Sequence, residues 1–254
     1  MDVPQVGLGT MGIDEPAVVE TALDVGYRHL DTAQIYENEA VVGAGLEASD
    51  VARPEVTLAT KLWIDSLAPD GVAAGTRASL DRLGVDSVDL LYAHRPRGGY
   101  DPEGTMRALA EVSREGLTEH VAVSNFTPKQ YETAQRHCEV PIVANQVEFH
   151  PLFQQQHLLA HAREHEYTIV AYSPLAGGQV FDIPEVQSVA DKHDTTPATV
   201  AIAWVLSYDN VVTIPKASSH AHLDANLDAA TLDLDPEDIE LIEGIDREVE
   251  LFPE

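Results

Sequence analysis

The sequence predicts an α/β fold in which residues 1–254 form one domain, a (β/α)8 barrel. The length of 254 residues is close to the roughly 250 that one such barrel needs. Eight short apolar runs rich in β-branched residues alternate with longer amphipathic segments, and no linker divides the chain. Strands that alternate with helices form a parallel sheet, and eight repeats favour a closed barrel over an open sheet.

The predicted strands are the short apolar runs, which turn signals and polar residues separate. In chain order they are Gln5–Gly9, Arg28–Asp31, Thr57–Lys61, Val88–His94, His120–Ser124, Ile142–Val147, Thr168–Tyr172 and Val211–Lys216.

The predicted helices lie between these strands and carry apolar residues at helical spacing, as Val18, Ala22 and Val25 do in the first. Thr127-Pro128 and Thr196-Pro197 each place a capping hydroxyl before a first-turn proline, which is typical of a helix start. The helices cover Glu15–Val25, Glu39–Ala48, Asp70–Leu83, Pro102–Arg114, Pro128–His137 and Gln154–His165.

The composition excludes several classes of partner. The chain has 43 acidic and 15 basic residues and a formal net charge of −28, a field that repels nucleic acid and anionic membranes. No charge-free apolar stretch approaches the roughly 18 residues of a membrane span, and no signal peptide is visible. The single cysteine, Cys138, excludes intrachain disulfides and thiolate-rich metal sites. We expect a cytoplasmic monomer that acts on small molecules.

The acidic residues are spread along the whole chain, and only Lys61, Lys129, Lys192 and Lys216 are lysines. This pattern indicates adaptation to a salt-saturated cytoplasm, where counterions suppress self-repulsion. Ordinary acidic solubility is the alternative interpretation.

The glycine-rich start supports a competing fold. Residues Gly7 to Gly12 match the dinucleotide fingerprint G-x-G-x-x-G, and Asp31 lies at about the spacing of a ribose-binding acid. Three features disfavour this Rossmann interpretation. The preceding segment is short and contains Pro4, the helical pattern begins only near Asp14, and no Y-x-x-x-K pair occurs.

Polar side chains end most of the predicted strands, the position of catalytic residues in this fold. Asp31 ends the second strand, Lys61 the third and His94 the fourth. The later strands end at or near Ser124, Asn125, Gln146, Tyr172, Ser173 and Lys216.

These residues suit carbonyl reduction, which needs a hydride on carbon and a proton on oxygen. Tyr36, five residues after Asp31, can donate the proton, and a nearby ammonium favours the ionised form of a phenol. Asp31 would keep Lys61 charged, and His94 would hold the carbonyl oxygen. Each residue alone has an ordinary interpretation: a helix cap, a packing aromatic, a surface lysine or a loop histidine. The combination carries the prediction.

A series of motifs from Gly7 to about Leu234 resembles the aldo-keto reductases, and most of all short prokaryotic members such as 2,5-diketo-D-gluconate reductases. The motifs are Gly7-Leu8-Gly9-Thr10, Gly26-Tyr27-Arg28-His29-Leu30-Asp31-Thr32-Ala33, Tyr36 with Asn38-Glu39, Lys61-Leu62-Trp63, Val123-Ser124-Asn125-Phe126, Asn145-Gln146-Val147-Glu148-Phe149-His150-Pro151, Ala171-Tyr172-Ser173-Pro174-Leu175 and Ile214-Pro215-Lys216.

The resemblance implies a catalytic tetrad of Asp31, Tyr36, Lys61 and His94, and an extended NADPH without a Rossmann domain. It implies that the cofactor site comprises Ser124, Asn125 and Gln146 at the carboxamide, Tyr172 stacked on the nicotinamide ring, Ser173 and Leu175 at the pyrophosphate, Lys216 and His222 at the 2′-phosphate and Asn226 at the adenine. The substrate pocket would include His94, Met11, Trp63 and Phe126.

Departures from the family pattern change these expectations. Met11 and Arg95 stand where tryptophan is frequent, which alters the substrate pocket. Ala217 and His222 replace the usual serine and arginine, so NADPH is expected with NADH as an alternative. The segment that closes over substrate in longer members is short, which predicts an open pocket. A non-catalytic NADPH-binding barrel is the alternative function.

Three histidines, His157, His161 and His165, recur at a spacing of four, which can bring imidazoles together on one helix face. Their neighbours are polar, and no carboxylate partner is evident in the sequence. We therefore expect a solvated helix face and no metal site.

Overall fold

A computed structural model describes residues 3–253. Within these residues, eight parallel strands form one sheet whose spatial order follows the chain. The strands are β1 Leu8–Gly9, β2 His29–Asp31, β3 Thr57–Leu62, β4 Val88–Ala93, β5 Thr118–Ser124, β6 Ile142–Glu148, β7 Thr168–Tyr172 and β8 Val211–Thr213. This sequential order contradicts the Rossmann alternative, because a doubly wound sheet reverses its strand order.

Helices separate consecutive strands, as predicted. They are α1 Pro16–Val25, α2 Glu39–Ala48, α3 Val72–Leu83, α4 Pro102–Arg114, α5 Pro128–His137, α6 Gln156–Glu164, α7 Pro184–Lys192, α8 Pro197–Leu206, α9 His220–Asp228 and α10 Pro236–Glu243. The two predicted caps are confirmed, since Thr127 accepts from the Gln130 amide and Thr196 from the Thr199 amide.

The sheet curls, and its two edges meet. Val6 pairs in parallel with Thr213 of β8. The Gly7 amide donates to the Thr213 carbonyl at 2.8 Å, and the Thr213 amide donates to the Gln5 carbonyl at 2.8 Å. Hydrogen bonds therefore connect the last strand to the segment that leads into the first.

The glycine-rich start permits this close approach. A Cβ on Gly7 would lie 2.5 Å from Nδ1 of His29, and one on Gly9 would lie 2.5 Å from the carbonyl oxygen of Ile214. Both distances are too short for any side chain. Two glycines of the apparent dinucleotide fingerprint thus allow close packing, Gly7 against His29 of β2 and Gly9 against the backbone that follows β8.

The curled sheet has two apolar layers. Inward-facing side chains fill its centre, with Tyr92 as the largest; the others are Ala59, Leu90, Ala122, Ala144, Val170, Val212 and Ile214. A larger cluster lies between the sheet and the helices, where Trp204 of α8 packs against Phe149 with ring centroids 5.1 Å apart. Burial of both layers supplies the main driving force for folding.

The predicted boundaries differ from the structure where local geometry interrupts an element. The eighth strand ends at Thr213 because Pro215, which has no N–H, follows. Helix α3 begins at Val72, after a turn in which the Gly71 amide bonds to Ala68. Helix α6 begins at Gln156, because Gln155 has a φ of 50°. Helices α7, α9 and α10 were absent from the prediction.

Candidate active site

A cavity of about 220 Å³ opens at the carboxyl ends of the strands, and we call it the carboxyl-end cavity. Predicted site residues that line it are Met11, Asp31, Tyr36, Trp63, His94, Asn125, Gln146, Tyr172, Ser173 and Lys216. The remaining lining residues are Gly9, Thr10, Ile35, Arg95, Ile214 and Phe252.

A buried ion pair lies at the base of this cavity. Asp31 of β2 pairs in register with Ala59 of β3, and Lys61 follows two residues later on the same face of β3. The Lys61 ammonium donates to Oδ1 of Asp31 and, at 2.8 Å, to the Thr32 carbonyl. Nε2 of Gln146 donates to the other Asp31 oxygen at 2.7 Å. Both charges are thus buried and hydrogen-bonded.

The charge state of Lys61 follows from its surroundings. Burial has the largest single effect and lowers the pKa of Lys61, but the charges and hydrogen bonds of Asp31 and Tyr36 together raise it by more, so the net shift is upward. The side chain is therefore an ammonium throughout the neutral pH range.

Tyr36 and His94 lie directly above the ion pair. The Lys61 nitrogen is 5.0 Å from the centre of the Tyr36 ring. The rings of Tyr36 and His94 meet edge to face with centroids 6.0 Å apart, and Trp63 contacts His94 in the same way at 5.1 Å. The four residues of the predicted tetrad, which come from three segments of the chain, are therefore adjacent.

Two amides hold the turn that carries Tyr36. Nδ2 of Asn38 donates to the carbonyls of Thr10 at 2.7 Å and Ile13 at 2.9 Å. Oε1 of Gln34 accepts from the Trp63 amide at 2.8 Å. Sequence analysis assigned no role to either amide, although Asn38 belonged to a recognised motif. Tyr36 is held by contacts from both sides of its loop.

His94 is neutral. Burial, followed by the positive charges of Lys61, Arg95 and Arg97, lowers the pKa of His94 to about 2. Its Nδ1 is buried and has no hydrogen-bond partner among residues 3–253. An imidazole in this state cannot act as a cationic acid at neutral pH, but its N–H can donate to an oxygen.

The opposite wall contains an aromatic ring backed by amides. Oη of Tyr172 donates to Oδ1 of Asn125 at 2.9 Å, and Nδ2 of Asn125 donates to the His94 carbonyl at 3.1 Å. Ser124 lies behind this wall, fully buried, and donates to the Gln146 carbonyl at 2.9 Å. This wall therefore presents the Tyr172 ring with the amides of Asn125 and Gln146 beside it.

The carboxyl-terminal segment borders one side of the cavity. Phe252 lines the cavity and meets Tyr172 edge to face at 5.7 Å. The Leu251 and Phe252 amides donate to the two carboxylate oxygens of Glu148 at 2.7 and 3.0 Å. Glu148, at the end of β6, therefore anchors the segment.

Six predicted residues do not line the cavity: Lys61 and Ser124 lie behind its wall, and the other four are Phe126, Leu175, His222 and Asn226. Phe126 is 1% exposed and packs against Tyr100 at 5.4 Å; it lines a neighbouring pocket that shares Asn125, Tyr172 and Phe252 with the carboxyl-end cavity. Leu175 packs on the outer apolar cluster. On α9, His222 is exposed and Asn226 is buried, both outside the cavity.

The sequence of this chain matches a known protein family over most of its length. The sequence pattern described as "Aldo/keto reductase family" matches residues 5–247. Methylglyoxal reductase DkgB of Escherichia coli O157:H7 is 38% identical in an alignment of length 252 that covers 97% of this chain and 94% of that protein. Glyoxal reductase of Bacillus subtilis (strain 168) is 33% identical in an alignment of length 257 that covers 100% of this chain and 92% of that protein.

Solved structures of proteins with similar sequences have the same fold as this chain. An aldo-keto reductase enzyme, MGS-M4, from a Medee basin deep-sea metagenome library superposes with a TM-score of 0.95 at 30% identity, covering 100% of this chain and 95% of that one. A structure provisionally assigned as 2,5-diketo-D-gluconic acid reductase B has a TM-score of 0.91 at 35% identity, covering 95% of this chain and 87% of that one.

Among residues 3–253, no helix has the length and apolar character needed to cross a membrane.

Proposed function

This chain belongs to the aldo/keto reductase family, and from that premise we propose that its carboxyl-end cavity reduces an aldehyde or ketone with NADPH, Tyr36 donating the proton. The chain is a nicotinamide-dependent carbonyl reductase. One observation carries the assignment of the residues: a charged, buried Lys61 lies between Asp31 and Tyr36, beside a neutral His94. The proposal includes a closed (β/α)8 barrel in one domain, supported by the hydrogen bonds between β8 and residues 5–9.

Each side chain has a separate task in this mechanism. When bound, the reduced nicotinamide supplies a hydride to the carbonyl carbon. Tyr36 gives its phenolic proton to the oxygen as negative charge develops there. The Lys61 ammonium stabilises the resulting phenolate, and Asp31 fixes that ammonium in place. His94, being neutral, donates an N–H to the carbonyl oxygen and orients it.

The nucleotide would occupy the wall opposite the tetrad. Tyr172 offers its ring to the nicotinamide, Asn125 and Gln146 offer amides to the carboxamide, and Ser124 holds that arrangement from behind. The other proposed contacts are Ser173 and Leu175 at the pyrophosphate, Lys216 and His222 at the 2′-phosphate and Asn226 at the adenine. The donor types fit these groups.

We propose small aldehydes as substrates. The cavity is about 220 Å³ in volume, and apolar side chains of Met11, Trp63 and Phe252 border it. The DkgB and Bacillus subtilis relatives are named for the reduction of methylglyoxal and glyoxal, which are both small aldehydes.

A panel of carbonyl compounds tests the proposal. Methylglyoxal, glyoxal, benzaldehyde and a bulky ketone are each mixed with the protein and NADPH or NADH, and the loss of absorbance of the reduced nicotinamide is followed. We expect the highest kcat/KM with a small aldehyde and NADPH. Nucleotide binding without consumption by any carbonyl compound would contradict the proposal.

Lys216→Ala is expected to weaken NADPH binding while NADH binding changes little. A charge-assisted contact to a phosphate contributes about 1.5–3 kcal/mol, or roughly 10- to 150-fold in Kd, and NADH has no 2′-phosphate. Fluorescence titration measures both constants. Lys129→Ala, which removes an exposed lysine of α5, controls for the loss of one positive charge. Equal weakening of both nucleotides would place Lys216 at another part of the ligand.

We also propose that the protein is adapted to high salt. Its charge of −28 produces repulsion between neighbouring acidic side chains. Salt screens this repulsion over the Debye length, which is about 10 Å at 0.1 M ionic strength and about 3 Å at 1 M. Many small repulsions together compete with a net stability of about 5–15 kcal/mol.

The melting temperature is therefore expected to rise between 0.1 and 3 M KCl. NADPH is an anion, so its apparent affinity should also improve as salt first increases, whereas screening of a phosphate contact alone would weaken it. Thermal melts and NADPH titrations across this range measure both quantities. A constant melting temperature, or an affinity that only falls, would contradict adaptation to salt.

A further inference from the structure

A second cluster of polar side chains lies between helices α5 and α6, away from the carboxyl-end cavity. Glu132 comes from α5, and His161 comes from α6 with His165 directly after its last residue. One carboxylate oxygen and one ring nitrogen from each histidine lie within 4.8 Å of one another. None of the three residues lines the carboxyl-end cavity. We call them the α5–α6 cluster.

The expectation of a solvated histidine face is wrong for His161. Its side chain is only 10% exposed, and its Nε2 is buried without a hydrogen-bond partner among the described residues. Its Nδ1 shares a hydrogen bond of 2.8 Å with the hydroxyl of Tyr167, and its ring packs edge to face against Tyr131 at 5.7 Å. The imidazole is thus held in one orientation, with one nitrogen unsatisfied.

That unsatisfied nitrogen faces a carboxylate. Nε2 of His161 is 3.6 Å from Oε1 of Glu132, which is too far for a hydrogen bond. Two ligands of a tetrahedral zinc ion, each at about 2.1 Å from the metal, are about 3.4 Å apart. The observed gap is therefore close to the separation that a bound ion would impose.

His165 completes the cluster, because residues four apart lie on the same helix face. Its ring centroid is 4.2 Å from that of His161.

We propose that Glu132, His161 and His165 bind a divalent transition ion of the zinc class and thereby connect α5 to α6. Two imidazoles and one carboxylate suit Zn²⁺ or its neighbours, whereas Mg²⁺ and Ca²⁺ prefer oxygen ligands alone. Water would fill the fourth position, since Glu132 and His165 are exposed. Tyr167 orients His161 from behind, as second partners of metal-bound histidines do.

Calorimetric titration with Zn²⁺ tests the site in the full chain. The protein is first treated with a chelator, and excess Mg²⁺ is present throughout to occupy acidic surface groups. We expect one Zn²⁺ per chain, binding at least about tenfold more weakly in His165→Gln and Glu132→Gln. Both substitutions are at exposed positions, so the variants should fold. His157→Gln, which changes a histidine of α6 outside the cluster, should bind Zn²⁺ like the wild type.

The melting temperature of the protein provides a second test of the zinc site. A ligand that binds only the folded state raises its melting temperature. We therefore expect Zn²⁺ to raise the melting temperature of the wild type and of His157→Gln, and to raise it less in His165→Gln and Glu132→Gln. Equal Zn²⁺ binding by the wild type and both cluster variants, or complete displacement of Zn²⁺ by Mg²⁺, would overturn the proposal.

Discussion

Tyr36→Phe is expected to reduce carbonyl reduction by about 10²–10⁴-fold and to leave NADPH binding nearly unchanged. The substitution removes only the phenolic hydroxyl, so the ring contacts with His94 and Lys61 remain. No other side chain in the tetrad can replace it as the acid. His94 is neutral because its pKa is lowered to about 2, and Lys61 is held as an ammonium by Asp31.

Steady-state kinetics with a small aldehyde, together with a fluorescence titration of NADPH, separate the two effects. Tyr100→Phe, which makes the same change outside the carboxyl-end cavity, is the matched control and should retain wild-type activity. If Tyr36→Phe kept more than about a tenth of wild-type turnover, another group would be the proton donor.

Lys61→Met is expected to have the largest effect on stability. It removes one partner of a fully buried ion pair and leaves the Asp31 carboxylate in the interior without its cation. Breaking a buried pair in this way costs about 3–5 kcal/mol. It should also abolish measurable reduction, because the phenolate of Tyr36 would lose its stabilising charge.

Urea unfolding at neutral pH measures the loss, and a double variant tests its cause. In Lys61→Met combined with Asp31→Asn, no uncompensated charge remains, so much of the lost stability should return. The double variant should nevertheless stay inactive. A loss below about 1 kcal/mol in the single variant, typical of exposed pairs, would show that the pair is not buried in solution.

The fold was predictable because strand ends and helix caps are local signals. The alternation of apolar runs correctly indicated eight parallel strands, and the capping threonines marked two helix starts. The pairing between distant strands was harder to predict from the sequence. The pairing of Val6 with Thr213 joins residues far apart in sequence, and nothing in either segment reveals it. Residues after β7 form several short helices, and three of them, α7, α9 and α10, were not predicted.

The sequence predicted which strand-end residues border the cavity, but it did not predict contacts that depend on distant segments. Phe252 reaches the cavity because Glu148, about a hundred residues earlier, binds the backbone of its segment. Phe126 follows Asn125, whose φ of 62° turns the chain so that the phenylalanine enters the core. Glu132 meets His161 only because α5 and α6 are neighbours in the fold.

The structure of the protein with NADP⁺ and a carbonyl-containing inhibitor is the most direct test of the proposed chemistry. We predict that the nicotinamide lies on Tyr172, and that the carbonyl oxygen lies about 2.6–3.2 Å from both the Tyr36 hydroxyl and a ring nitrogen of His94. A nicotinamide bound elsewhere, or a carbonyl oxygen that contacts neither Tyr36 nor His94, would contradict it.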